Sequence, residues 1–208
     1  MRAAHDVVIR GGTVYDGTGG APFAADVAID GDRIAEVGAV RERGALEIDA
    51  AGLAVAPGFI NMLSWATTSL IADGRSQSDI RQGVTLEVFG EGWSLGPVNE
   101  SMRREQTEQQ GDIKYDITWT TLAEALDAIA TRGISPNIAS FVGAATVRIH
   151  ELAHEDRPPT QDELLRMRAL VDAAMREGAL GLGSALIYAP ATYADTDELV
   201  ALAEVAGR

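Results

Sequence analysis

The sequence predicts an α/β protein in which a short β-rich segment leads into four strand–helix units. Three observations predict it. Residues 6–56 hold short β-branched runs punctuated by glycine pairs and an Asp-Gly turn. From about residue 55, apolar runs of strand length alternate with runs of helical periodicity. Helix start and stop signals bracket those helical runs. The boundary is expected at 55/56, giving segments 1–55 and 56–208.

In the first segment, Val7-Val8-Ile9 reads as a strand closed by Gly11-Gly12. Asp26–Ile29 and Arg33–Val37 flank Asp30-Gly31, a tight-turn signal. Leu46–Asp49 and Leu53–Ala56 follow, and the whole is expected to be a small antiparallel unit. Gly17-x-Gly19-Gly20 precedes no helix, so it reads as turns and not as a dinucleotide loop.

In the second segment, Ala54–Asn61 is expected to be one apolar strand. Ser76–Gln82 is a short helix stopped by Gly83, and Val84–Phe89 is the next strand. Asn99–Lys114 is polar and reads as an inserted, exposed helix or loop. Thr121-x-x-Glu124 is a capping box whose helix runs to Gly133. Asn137–Val142 is a third strand. Thr160-x-x-Glu163 opens a helix ending at Gly178, with Leu164, Met167, Val171 and Met175 on one face. Ala179–Leu182 is the fourth strand, and a last helix begins near Thr196. Strands alternating with helices imply a parallel sheet covered by helices. Periodicity alone does not separate an open doubly wound sheet from part of a (β/α)8 barrel.

Composition narrows the function. Of 208 residues, 46% are hydrophobic and 23% charged, enough apolar material for a core. A net charge of -14 repels phosphate backbones, so nucleic acid is not an expected partner. With no cysteine, disulfides, iron–sulfur clusters and thiolate metal sites are excluded. The N-terminus lacks the apolar core of a signal peptide, and no apolar run is long enough to span a bilayer. The expectation is a soluble cytoplasmic protein without a membrane partner.

Motifs then carry the reading further. Gly11-Gly12-Thr13-Val14-Tyr15-Asp16-Gly17, Asp30-Gly31-Asp32-Arg33-Ile34 and Pro57-Gly58-Phe59-Ile60 occur in that order. Their arrangement resembles the start of metal-dependent amidohydrolases related to urease and dihydroorotase. Gly83-Val84-Thr85, Gly90 to Pro97, Ala139 to Gly143, Gly178 to Leu182, and Tyr188 through Thr196 follow. With these the chain looks most like the N-acyl-D-amino-acid deacylases. The resemblance spans essentially the whole chain. It implies the N-terminal half of a (β/α)8 barrel beside a small β-sandwich, zinc as cofactor and a small-molecule amide as substrate. Ligands and general base in that family sit at the C-terminal ends of barrel strands.

Three departures follow from the resemblance. The family's His-x-His pair, which points two imidazoles the same way from one strand, is here Leu63 and Trp65. Its Gly-Asn-Cys-Gly, with a metal-ligand cysteine, becomes Gly90-Glu91-Gly92, which makes Glu91 the candidate metal ligand, since carboxylates bind zinc. Its Gly-His after the third strand becomes Gly143-Ala144. Tyr188 falls where family members line the substrate pocket. The family's remaining histidine ligands and catalytic aspartate would lie past Arg208, so no catalytic residue is assigned. The expectation is a truncated barrel, completed by a second chain or a homo-oligomer.

His150-Glu151-Leu152-Ala153-His154 matches the His-Glu-x-x-His of zinc peptidases. Pro158-Pro159 ends any helix early and no third ligand follows at a recognisable spacing, so surface histidines are expected. Arg148 offers a guanidinium to a substrate carboxylate or to a surface ion pair. Glu87, between Leu86 and Val88, must find a partner if it faces the barrel interior, and a role at or behind a metal site is then open to it. Ser64 and Ser184 lack the surroundings of a nucleophile. The function expected for the full-length form is hydrolysis of non-peptide C–N bonds in N-acyl-D-amino acids or related amides. The alternative is a catalytically dead binding or structural module, with Leu63 and Trp65 filling the old metal cavity.

Overall fold

The first strand, β1 (His5–Val14), runs through Gly11 and Gly12 and does not stop at them. Gly11 takes φ 65°, and the register with the next strand slips between Ile9 and Gly12. The glycine pair is therefore a bulge inside a long strand and not its end. Residues 3–208 are described by this computed structural model, in two compact units, one ending at Gly58 and one spanning Phe59–Arg208.

The first unit adds β2 (Phe23–Asp30), β3 (Arg33–Gly38), β4 (Gly44–Asp49) and β5 (Ala54–Val55). The strand order is β3-β2-β1-β4, with β5 also paired to β1. The β2–β3 turn has Gly31 at φ 59°, the left-handed conformation that a two-residue hairpin loop demands. The expected antiparallel unit is in fact mixed, because β4 and β5 run parallel to β1. The chain leaves the β3 edge and re-enters at the opposite side of β1. That crossing segment contributes Val40 to the small core of Val8 and Ala28. Arg10 holds it in place, its guanidinium donating to the carbonyls of Val40 and Glu42 (2.6 Å each) and to Asp26 and Glu47.

The expected strand Ala54–Asn61 is two strands. β5 pairs with β1, while β6 (Phe59–Asn61) belongs to the second unit. Pro57, which has no amide hydrogen to give a ladder, and Gly58 separate them.

The second unit continues with α1 (Thr67–Ala72), α2 (Gln77–Ile80), β7 (Val84–Phe89), α3 (Glu100–Gln109), α4 (Leu122–Ala130) and β8 (Asn137–Ser140). It ends with β9 (Val142–Gly143), α5 (Ala144–Leu152), α6 (Gln161–Arg176), β10 (Leu182–Gly183) and α7 (Thr196–Ala206). All its strand pairs are parallel, in the order β6-β7-β8 and β10-β9. The expected third strand is broken at Phe141, and the fourth is only two residues long, shifted to Leu182–Gly183. Close backbone contact explains the break. A Cβ on Gly90 would lie 2.2 Å from the Phe141 carbonyl oxygen, and one on Gly183 would lie 1.9 Å from that of Gly90. The ends of β7, β9 and β10 thus touch main chain to main chain, which glycine alone permits.

Helices cover the sheet through two apolar clusters. Leu70 and Ile71 of α1, Phe89, Met102 of α3 and Ile129 of α4 form one. Val142, Val147, Met167, Val171, Leu202 and Val205 form the other, with Leu164 and Met175 packed at its margin, so the helical face expected for α6 is the buried one. Both expected capping boxes are present, Thr121 with Glu124 and Thr160 with Glu163. Arg148 of α5 lies inside, at 1% side-chain exposure, paired with Glu198 of α7, which is at 2%. Its guanidinium also donates to the carbonyls of Glu155 and Arg157, so it is a buried clasp and neither a surface ion pair nor an open anion site. Among the described residues no helix is long and apolar enough to cross a membrane.

Candidate functional site

The C-terminal ends of β6 and β7 lie side by side and carry the residues singled out in the sequence. Phe59, Ile60 and Asn61 pair with Val84, Leu86 and Glu87, which brings Leu63 and Trp65 level with the loop after Phe89. The Ser64 amide donates to the Val88 carbonyl at 2.9 Å and extends the match by one step. Leu63 and Trp65 are both exposed, at 51% and 61%, and neither offers a metal a lone pair. Ser64 between them is buried.

Ser64 is fixed by Glu87. Its hydroxyl donates to the Glu87 carboxylate at 2.7 Å, and the Ser76 hydroxyl donates to the other carboxylate oxygen at 3.0 Å. Ser76 reaches it from a left-handed conformation at φ 41°, uncommon for a residue with a side chain. Glu87 is fully buried and lies two residues before Phe89, whose ring packs on Leu70 and Ile71. The carboxylate therefore faces the helix layer, and serine hydroxyls satisfy it there. The sequence names Glu87 but not its partners, because Ser64 and Ser76 stand 23 and 11 residues away at no diagnostic spacing.

A cleft of about 330 Å³ opens beside these strand ends. Ser64, Trp65, Glu91 and Trp93 line it from the strand ends, and Gln106 of α3 and Tyr115 close the opposite wall. Glu91 is half-buried between Gly90 and Gly92, and its carboxylate pairs with no side chain among the described residues. It is the single charged side chain in the lining. The backbone beneath it is rigidly placed, since a Cβ on Gly92 would meet Ala185 at 2.8 Å and one on Gly143 would meet the Gly92 oxygen at 2.4 Å. The polar segment expected to be an exposed insertion is thus a wall of this cleft. Asn99 caps α3 by accepting from the Met102 amide, and Met102 anchors the helix in the core. An N-cap asparagine three residues before that methionine was the available signal.

Other predicted residues lie elsewhere. Tyr188 follows β10 in an exposed loop, at 58% exposure, and is not part of the cleft lining. In the His-Glu-x-x-His segment, α5 stops at Leu152 and Ala153 takes φ 52°, so the two histidines do not share a helical turn. His150 pairs with Glu151 at 2.9 Å, and His154 pairs with Glu105 at 2.9 Å. Burial pushes the Glu151 carboxyl up, but its hydrogen bonds to Arg166 and His150 outweigh that and hold it below the usual carboxylate range. That arrangement is an ion-pair chain and not a zinc site. Among the described residues, three metal-ligand side chains come within mutual reach only at His5, Glu36 and Glu42, in the first unit. His5 there already holds Asp30 through Nδ1 at 3.1 Å.

No family model matches the chain. Sequence and structure comparison places it with the amidohydrolases. D-aminoacylase of Alcaligenes xylosoxydans xylosoxydans is 32% identical over 200 residues, covering 94% of this chain and 40% of that protein. N-acyl-D-aspartate deacylase of the same organism is 34% identical over 200 residues, covering 95% and 40%. The structure of N-acyl-D-glutamate deacylase from Bordetella bronchiseptica, complexed with zinc and a phosphonate inhibitor, superposes with a TM-score of 0.84 at 27% identity, covering 98% of this chain and 43% of that one. Within the amidohydrolases the chain is a relative of the D-aminoacylases, or N-acyl-D-amino-acid deacylases, and matches their N-terminal part. It spans about 40% of the length of these curated relatives.

Proposed function

We propose that the chain is the N-terminal part of a metal-dependent amidohydrolase that hydrolyses N-acyl-D-amino acids or related amides. In this reading the second unit is the first half of a (β/α)8 barrel, and the first unit is part of a β-sandwich. The observation that carries the site is Glu91, an unpaired carboxylate at the C-terminal end of a parallel strand, at the mouth of a cleft. Active sites of such barrels form at that face.

The donor set fits one metal position and not two. Glu91 would hold one zinc together with ligands from outside these 208 residues, and Leu63 and Trp65 remove the position that the family's His-x-His pair serves. Zinc bound there would polarise the scissile carbonyl. The chain's own residues do the rest. The glycine contacts around Gly90, Gly92 and Gly143 fix the backbone on either side of Glu91. The bonds from Ser64 and Ser76 to Glu87 hold the neighbouring strand end that presents Trp65. Tyr188, on its exposed loop, would contact the amino-acid half of the substrate.

The test is to join the chain to the C-terminal three-fifths of a D-aminoacylase, supply zinc and assay N-acyl-D-amino acids. Hydrolysis that falls at least a hundredfold in Glu91→Ala, with loss of bound zinc, is expected. A zinc-loaded, folded protein that cleaves no such amide sinks the reading. Unchanged zinc content in Glu91→Ala removes Glu91 as ligand.

A further inference from the structure

We infer that the cleft beside Glu91 receives the acyl half of the substrate and that it is built for a bulky, apolar acyl group, aromatic in preference to acetyl. The inference rests on the deacylase reading, in which the scissile carbonyl lies next to Glu91. An N-acyl amino acid has two unlike halves. The amino-acid half carries a carboxylate and needs a cationic or strongly donating partner. The acyl half is neutral.

The lining decides between them. Among the described residues no lysine, arginine or histidine lines the cleft, and its single charge is the Glu91 carboxylate, so it would repel a free carboxylate. The amino-acid half must therefore point away, toward other strand ends. What the cleft offers is uncharged surface, aromatic and apolar from Trp65, Trp93, Leu95, Ile113 and Tyr115, with nearly as much neutral polar surface, most of it from serine, threonine and glutamine side chains. At about 330 Å³ it has the size of a small-molecule site and far exceeds an acetyl group. Trp65 and Trp93 expose 61% and 37% of their surface, and a stacked ring would cover part of it. Gln106, Gln109 and Gln110 of the α3 side and Thr67 and Thr68 of α1 line it too and can bond the amide that follows the acyl group. The replacement that removes a metal-ligand position thus also supplies one wall of an acyl pocket.

The chain has three tryptophans, of which Trp65 and Trp93 line the cleft and Trp119 is buried, so intrinsic fluorescence reports on the site. The experiment titrates the 208-residue chain, without metal, with phenylacetamide, acetamide and phenylacetate. Phenylacetamide is expected to change the emission saturably, and acetamide to leave it unchanged at the same concentrations. Phenylacetate should bind at least tenfold more weakly than the amide. Trp65→Ala, at an exposed position, should weaken phenylacetamide at least tenfold while the far-ultraviolet circular dichroism stays the same. Gln106→Trp, which fills the cleft from α3, should do likewise by a different route. Equal binding of acetamide and phenylacetamide, equal binding of amide and acid, or unchanged affinity in both variants overturns the inference. No hydrolysis or zinc enters this titration. Failure here therefore leaves the deacylase reading standing, and failure of the hydrolysis assay leaves this binding result intact.

Discussion

Glu87 shows how much one side chain can organise. It is fully buried and accepts from two serine hydroxyls that belong to different connections, the turn after β6 and the start of α2. Glu87→Ala would strand the buried Ser64 hydroxyl, at about 1–3 kcal/mol, whereas the half-buried Ser76 keeps Asp79 as a partner. Urea unfolding should show that loss, and Glu87→Gln, which can still pair with both, should show much less. Equal loss in the two variants would mean that shape and not hydrogen bonding is what Glu87 provides. At this scale the sequence was half legible. The motif order singled out Leu63, Trp65 and Glu91, because those residues stand at fixed offsets from Pro57-Gly58 and from Gly90, and the structure sets Trp65 and Glu91 on one cleft. Arg148 was misjudged, since its partner Glu198 lies 50 residues away on another helix and no local spacing announces it.

Among elements, the capped helices were the most legible and α5 the least. Thr160 and Glu163 cap α6 reciprocally, and Arg157 grips Glu163 from outside the helix. The Arg157 hydrogen bonds, then those from Thr160, hold the Glu163 carboxyl well below the usual carboxylate range. A depressed folded-state pKa contributes stability that is complete above the unfolded value of 4.5 and is lost as pH falls below it. The start of α6 should therefore loosen progressively as pH falls from about 5 into the strongly acid range, read by amide exchange at residues 161–165. Glu163→Gln should start out looser and lose that pH dependence, and a wild-type-like acid response in the variant would contradict the assignment. α5 gave no such warning. Gly143 precedes it with no side-chain cap, and residues 144–149 are all buried, so it shows no polar face. Helical periodicity is visible only where one side meets water. The same logic hid the β1 bulge, since a glycine pair inside a strand and one at its end look alike in sequence.

For the molecule as a whole, the α/β class was readable, because apolar runs of strand length alternate with runs of helical period. Which strands sit at an edge was not, because pairing is decided across the chain. Among the described residues β6 pairs on one side only, with β7, and its Phe59 and Ile60 are exposed at 61% and 55%. An open apolar edge recruits further strands. The 208-residue chain should self-associate with rising concentration in sedimentation velocity, and Ile60→Lys should shift it toward monomer. A chain that stays monomeric throughout the micromolar range would show this edge to be protected. The Arg148–Glu198 clasp carries a different consequence, one of timing during synthesis. Glu198 is translated 50 residues after Arg148, roughly 3–10 s later at ribosomal speed. Until then a nascent α5 holds a guanidinium that has no carboxylate to bury with. The second apolar cluster is therefore expected to reach its full packing only once α7 has been made, with the Glu155 and Arg157 carbonyls as the earlier partners of Arg148.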